Sequence, residues 1–92
     1  MNFLMAGFKT LKDVMTGEVV SQLDSAANNG MTVMSVRLKK DRKSGTRYVV
    51  LAQHSSGNHQ YVSFTAEEFG QFADSVNVVR DSLNQDSAGT SA

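Results

Sequence analysis

At Thr65 the periodicity of the chain changes, and that change decides the fold class. Upstream, apolar residues come in short strand-like runs. Downstream, Phe69, Phe72, Ala73, Val76, Val79 and Leu83 recur at three- and four-residue spacing, which is one face of a helix. Thr65 is a good N-cap, Glu68 three residues later completes a capping box, and Phe64 before the cap can staple onto Phe69. The helix is expected from about 66 to 84.

Three runs precede it: Met31 to Lys40, Thr46 to His54, and His59 to Phe64. Asn28-Asn29-Gly30, Lys43-Ser44-Gly45 and Ser55-Ser56-Gly57-Asn58 mark the turns. A fourth strand is expected at about Gly17 to Leu23. Leu4, Phe8, Leu11 and Met15 share a helical spacing, so a short helix is expected from about Phe8 to Met15. The chain has no proline, so no strand is barred from the middle of a sheet. The expected fold is α+β: an antiparallel four-stranded twisted sheet followed by a long C-terminal helix across one face (ββββα), with a short N-terminal helix in front. Residues 1–16 form an N-terminal segment, 17–85 one domain, and 86–92 a small polar tail expected to be disordered.

Ninety-two residues suffice for one domain with a thin core. Without cysteine there is no disulfide framework, thiolate metal site or cysteine nucleophile. No apolar run approaches the roughly 20 residues of a membrane span. The first fifteen residues lack the layout of a secretory signal, so an intracellular protein, nuclear or cytoplasmic, is expected.

The net charge is zero, yet it is unevenly spread. Six of the nine basic residues fall between Arg37 and Arg47 with one acid, Asp41, among them, so that stretch carries +5. The remainder sums to −5, and between Ala66 and Asp86 five acids face one base, Arg80. Such a field steers charged partners even at zero total charge.

Pairing Met31–Lys40 with Thr46–His54 so that Leu38 opposes Tyr48 sorts the sheet into two faces. Met34, Val36, Leu38, Tyr48, Val50, Ala52, Val62 and Phe64 would receive the helix. Val33, Ser35, Arg37, Lys39, Arg47, Val49, Leu51, His59, Tyr61 and Ser63 would form a second, mixed face. A one-residue slip of the second strand exchanges its two rows. A face that mixes cations, rings and apolar side chains suits single-stranded nucleic acid, whose phosphates need cations and whose bases need flat partners. The candidate binding residues are Arg37, Lys39, Lys40, Arg42, Lys43 and Arg47 for phosphates, and Tyr61, Tyr48 and His59 for stacking. The alternative is a charged hairpin tip that only discourages aggregation.

His54 and His59 flank a turn, but no cysteine or nearby acid completes a metal ligand set. No nucleophile elbow, phosphate loop or dinucleotide fingerprint occurs, so no enzyme and no cofactor are expected.

The stretch from Val33 to Leu83, and above all Ser56-Gly57-Asn58-His59-Gln60-Tyr61-Val62-Ser63-Phe64-Thr65-Ala66-Glu67-Glu68-Phe69, resembles a single PUR repeat of the purine-rich-element-binding family. The same ββββα plan is similar to the single-strand-binding domain of the positive cofactor four coactivator and to the Whirly proteins. The resemblance implies a dimer that binds single-stranded DNA or RNA on a curved sheet. It matches Arg37, Lys39 and Lys40 to the basic strand-and-turn positions, Arg47 and Tyr48 to the start of the next strand, and Tyr61 and Ser63 to the last strand. The function expected is therefore a non-catalytic single-strand binder acting as a homodimer in transcription, replication or RNA handling. The alternative is a protein-interaction module or assembly adaptor of the same fold, motivated by Val33, Val49 and Leu51, with the N-terminal segment as a further protein contact.

Overall fold

A computed structural model describes the backbone of residues 13–91 and the side chains of residues 13–85. Residues 13–15 are helical; most of the N-terminal helix expected from Phe8 lies outside the described residues. Four strands follow, β1 (Glu18–Ala27), β2 (Thr32–Lys40), β3 (Arg47–Ser55) and β4 (Asn58–Thr65), then a helix, α1 (Ala66–Ser91). The sheet is an antiparallel meander in the order β1-β2-β3-β4. The ββββα plan is thus present.

The turns follow from their residues. Between β1 and β2, Asn28 and Asn29 take left-handed backbone angles, φ 52° and 56°, which asparagine tolerates better than most residues. Between β3 and β4 the two-residue turn needs φ +80° at Gly57, where a side chain would be strained. Residues 41–46 join β2 to β3. There the Asp41 carboxylate accepts hydrogen bonds from the backbone N–H of Lys43 and Ser44 at 2.8 and 3.1 Å, and the Asp41 N–H donates to the Thr46 carbonyl at 2.8 Å.

That turn sets a register one residue away from the expected pairing. Lys40 opposes Arg47, Leu38 opposes Val49 and Val36 opposes Leu51. The two rows of β3 therefore exchange faces. One face carries Leu23, Met34, Val36, Leu38, Val49, Leu51, Val62 and Phe64; the other carries Val33, Ser35, Arg37, Lys39, Tyr48, Val50, Ala52, His54, His59, Tyr61 and Ser63. The physical reason is apolar matching: Val49 and Leu51 now lie between Leu38 and Val36 on one side and Phe64 and Val62 on the other. In β1 the ladder is interrupted at Val20, between Val19 and Ser21.

The capping box forms as expected. Glu68 N–H donates to Thr65 Oγ1 at 3.1 Å, and Thr65 N–H donates to Glu68 Oε1 at 2.9 Å. The staple forms too, with Phe64 edge-on to Phe69 at 5.8 Å and stacked on Phe72 at 5.2 Å. The helix continues to Ser91, beyond the end expected at about 84 and through the tail expected to be disordered; no proline interrupts it.

The expectation that the helix lies across one face needs correction. Phe69 and Ala73 are half-buried and Phe72 packs on Phe64, but beyond them Val76, Val79 (67% exposed) and Leu83 (62% exposed) face solvent. Twenty-six residues make a rod of about 39 Å, and only its first turns meet the sheet. The apolar sheet face is also uncovered at Leu23, which is 77% exposed. Among the described residues, the buried apolar side chains are Val49, Val50 and Ala52, all on β3. Val50 is fully buried. Val50→Ala should lower unfolding stability by about 2 kcal/mol, read as a lower urea midpoint at unchanged slope.

Candidate nucleic-acid interface

The nine candidate residues divide into three groups. Lys39 and Tyr48 are structural. Lys39 is 3% exposed, and its ammonium donates to the backbone carbonyls of Asp13 and Val14 at 2.7 and 2.8 Å. It thus satisfies free carbonyls at the end of the helical turn. Burial pushes its pKa down, with Arg37 and Arg42 adding and Asp13 opposing. The Tyr48 hydroxyl lies 3.0 Å from the Asp13 carbonyl and 3.3 Å from that of Thr16, and its one proton serves both. Ser63 Oγ donates to the Asp13 carboxylate. These contacts clamp residues 13–17 onto the sheet. A Cβ on Gly17 would collide with the Tyr48 hydroxyl, and φ there is +78°. Lys39 is therefore not free for a phosphate, which corrects its assignment; the Tyr48 hydroxyl is engaged in the clamp, while its half-buried ring lines a cleft at the hairpin end. Their partner Asp13 is 26 and 35 residues away, so no local pattern could reveal it.

The second group is the hairpin end. Lys40, Arg42, Lys43 and Arg47 are exposed. Arg42 and Lys43, with Asp13, Thr16, Gly17, Asp41 and Tyr48, line an open cleft of about 340 Å³. Arg47 pairs with Lys40 in the row of the apolar face. The expected joint display of Arg37, Arg47 and Tyr61 on one face is therefore not formed; the register shift carries Arg47 to the other side.

The third group is a polar network at the far end of the second face. The Arg37 guanidinium lies 6.0 Å over the Tyr61 ring, within cation–π reach. Its Nη2 is 3.3 Å from His54 Nε2, and its Nε donates to Ser35 Oγ at 3.3 Å. His54 Nδ1 is 2.6 Å from His59 Nδ1, and His54 is edge-on to Tyr61 at 5.6 Å. Asp24 completes the network. Its carboxyl is held below the usual value first by a hydrogen bond from Ser35, then by one from Gln22 and by the Arg37 charge, against some desolvation. The register places His54 directly opposite His59. Sequence reasoning left His54 out of the site. The signal that could have found it is the turn, since a two-residue hairpin at Ser56-Gly57 makes residues 54 and 59 partners. Among the described residues no three histidine, aspartate or glutamate side chains gather as a metal site would require.

No family model matches the chain, and no curated protein or solved structure is detectably similar to it. Among the described residues no helix is long and apolar enough to cross a membrane.

The clamp predicts a pH effect. Burial, then the charges of Asp13 and Asp41, raise the Tyr48 pKa above 10.0, so the phenolate is less favourable in the folded chain than in the unfolded one. The Tyr48 contribution is complete below pH 10 and is lost as pH rises through the raised folded value. Tyr48→Phe should lower stability by about 1 kcal/mol at neutral pH. It should also flatten the decline above pH 10, measured by urea titration across that range.

Proposed function

We propose that the chain is a non-catalytic binder of single-stranded DNA or RNA that works as a homodimer. The observation that supports this most is the half-exposed Arg37 guanidinium lying over the half-exposed Tyr61 ring, beside the exposed His59 at the edge of a sheet face whose centre, Ser35, Val50 and Ala52, is buried. A guanidinium and a phenol ring side by side suit a phosphate and its base. His59 sits on the same face and offers a further ring. Arg42 and Lys43 extend the positive field at the hairpin tip, and Lys40 and Arg47 reinforce it from the other side. The interface is smaller than the nine residues first considered, because Lys39 and Tyr48 hold the N-terminal segment instead.

The homodimer rests on a different feature. The chain exposes Leu23 and Val62 on an apolar sheet face whose Met34, Val36, Leu38 and Leu51 are half-buried, and an apolar helix stripe at Val76, Val79 and Leu83. A stripe that overruns its own sheet suits a second copy, and its burial would thicken a core that is thin within one chain. In such a dimer Arg37, His59 and Tyr61 lie on the side of the sheet away from the contact. The same apolar surface favours a second reading, a protein-interaction module with no nucleic-acid role; its occupant would then be another protein.

A titration of a labelled oligothymidylate strand separates the readings. The native chain should bind at low ionic strength and weaken steeply with salt. Replacing Arg37→Glu, Arg42→Glu and Lys43→Glu together should reduce affinity at least about tenfold and cut the salt slope by about 2, since each lost phosphate contact on a single strand removes about 0.7. No binding at low ionic strength, or an unchanged slope in the variant, overturns the proposal. For the dimer, Val79→Asp with Leu83→Asp should give a folded monomer in sedimentation equilibrium, and a monomeric native chain refutes it.

A further inference from the structure

We propose that His54 and His59 form a proton-operated latch on Arg37, so that mild acidification strengthens the hold of this sheet face on single strands. The proposal rests on the nucleic-acid reading above and names its regulation.

The hydrogen-bond chemistry fixes the resting state. A guanidinium has only donors, so His54 Nε2, 3.3 Å from Arg37 Nη2, must accept. His54 is then neutral with its proton on Nδ1. That proton points at His59 Nδ1, 2.6 Å away, which must accept in turn. His59 therefore carries its own proton on Nε2. The result is a one-way relay, Arg37 to His54 to His59, with both tautomers determined.

The relay has no vacant lone pair on either ring, so a further proton must displace something. If it adds to His59 Nδ1, two N–H groups would meet at 2.6 Å. The contact survives only when His54 moves its own proton from Nδ1 to Nε2. The inter-ring bond then runs from His59 to His54 and becomes charge-assisted, hence stronger. Now His54 Nε2–H faces Arg37, donor against donor, and the guanidinium is released. Addition of the proton to His54 Nε2 ends the same way. One proton taken up thus does two things: it adds a positive charge to the face and releases the Arg37 Nη2 N–H that His54 held, for a phosphate.

The groups facing the pair set its balance. Arg37 on β2 lies 3.3 Å from His54, and Asp24 on β1 interacts with it electrostatically. Tyr61 on β4 contributes a ring edge to His54. The helix α1 packs on the opposite face through Phe64, Phe69 and Phe72. Histidine is the residue type that titrates near neutrality, and the released arginine keeps its Ser35 and Tyr61 neighbours, so it stays positioned over the face.

Two measurements test the latch. The first is binding of a labelled oligothymidylate, whose bases do not titrate in this range, between about pH 7.5 and about pH 5.5. The native chain should gain about tenfold in affinity, for one added charge and one freed guanidinium. His59→Gln and Arg37→Gln should each gain less than about twofold. The second uses the free protein: the Arg37 Nε–H resonance should shift together with the imidazole nitrogens of His54 and His59 as pH falls, and should not shift in His59→Gln. If native and His59→Gln chains bind equally well and gain equally, the latch is wrong and the binding reading stands. If no strand binds at either pH, the binding reading fails and the regulation with it; the resonances then decide whether the relay alone exists. An Arg37 signal that stays still while the histidines titrate refutes the relay in every case.

Discussion

The pairing of β2 with β3 governs the rest of the molecule. Asp41 accepts from the Lys43 and Ser44 amides and closes a six-residue connection that ends in the Lys40–Arg47 pair. Because side chains alternate, that one choice sends Val49 and Leu51 to the apolar face and Tyr48, Val50, Ala52 and His54 to the polar one. It places Tyr48 beside Lys39, where both can hold the N-terminal segment, and His54 where Arg37 and His59 can reach it. It also moves Arg47 away from Arg37. A turn of one residue fewer would dismantle the clamp and the relay together.

The sequence was most informative where interactions are local. Thr65 and Glu68 are three residues apart and their reciprocal hydrogen bonds form as the capping box requires; Phe64 and Phe69 meet as the staple does. The strands and their turns were visible for the same reason, since alternation and glycine are short-range features. Register was not visible, because two pairings one residue apart both place apolar residues opposite one another, and the Asp41 hydrogen bonds choose between them. The role of Lys39 was hidden by distance along the chain: a basic residue in a basic run reads as a phosphate ligand until Asp13 arrives from the N-terminal side. The exposed length of α1 was hidden for a third reason. An apolar stripe tells that a helix has something to bury, not whether its own sheet is large enough to receive it.

The positive run therefore serves two purposes that composition alone would merge. Lys39 spends its charge on carbonyl groups inside the fold, and Arg42, Lys43, Lys40 and Arg47 remain in water. Arg37 stands between these extremes, half-exposed, engaged by Ser35 and His54 and lying over the Tyr61 ring. A residue in that intermediate condition is the natural place for control, because a small chemical change moves it from one set of partners to another.

The break in the β1 ladder at Val20 has a consequence for how copies of this chain can meet. Among the described residues β1 and β4 are the outer strands of an open sheet, and an outer strand has one row of amides and carbonyls that no neighbouring strand pairs. The irregularity at Val20 spoils one of them as a template, while β4 keeps eight residues in unbroken pairing geometry. The two outer strands are therefore unequal as templates for an added strand: β4 offers a regular row and β1 a kinked one.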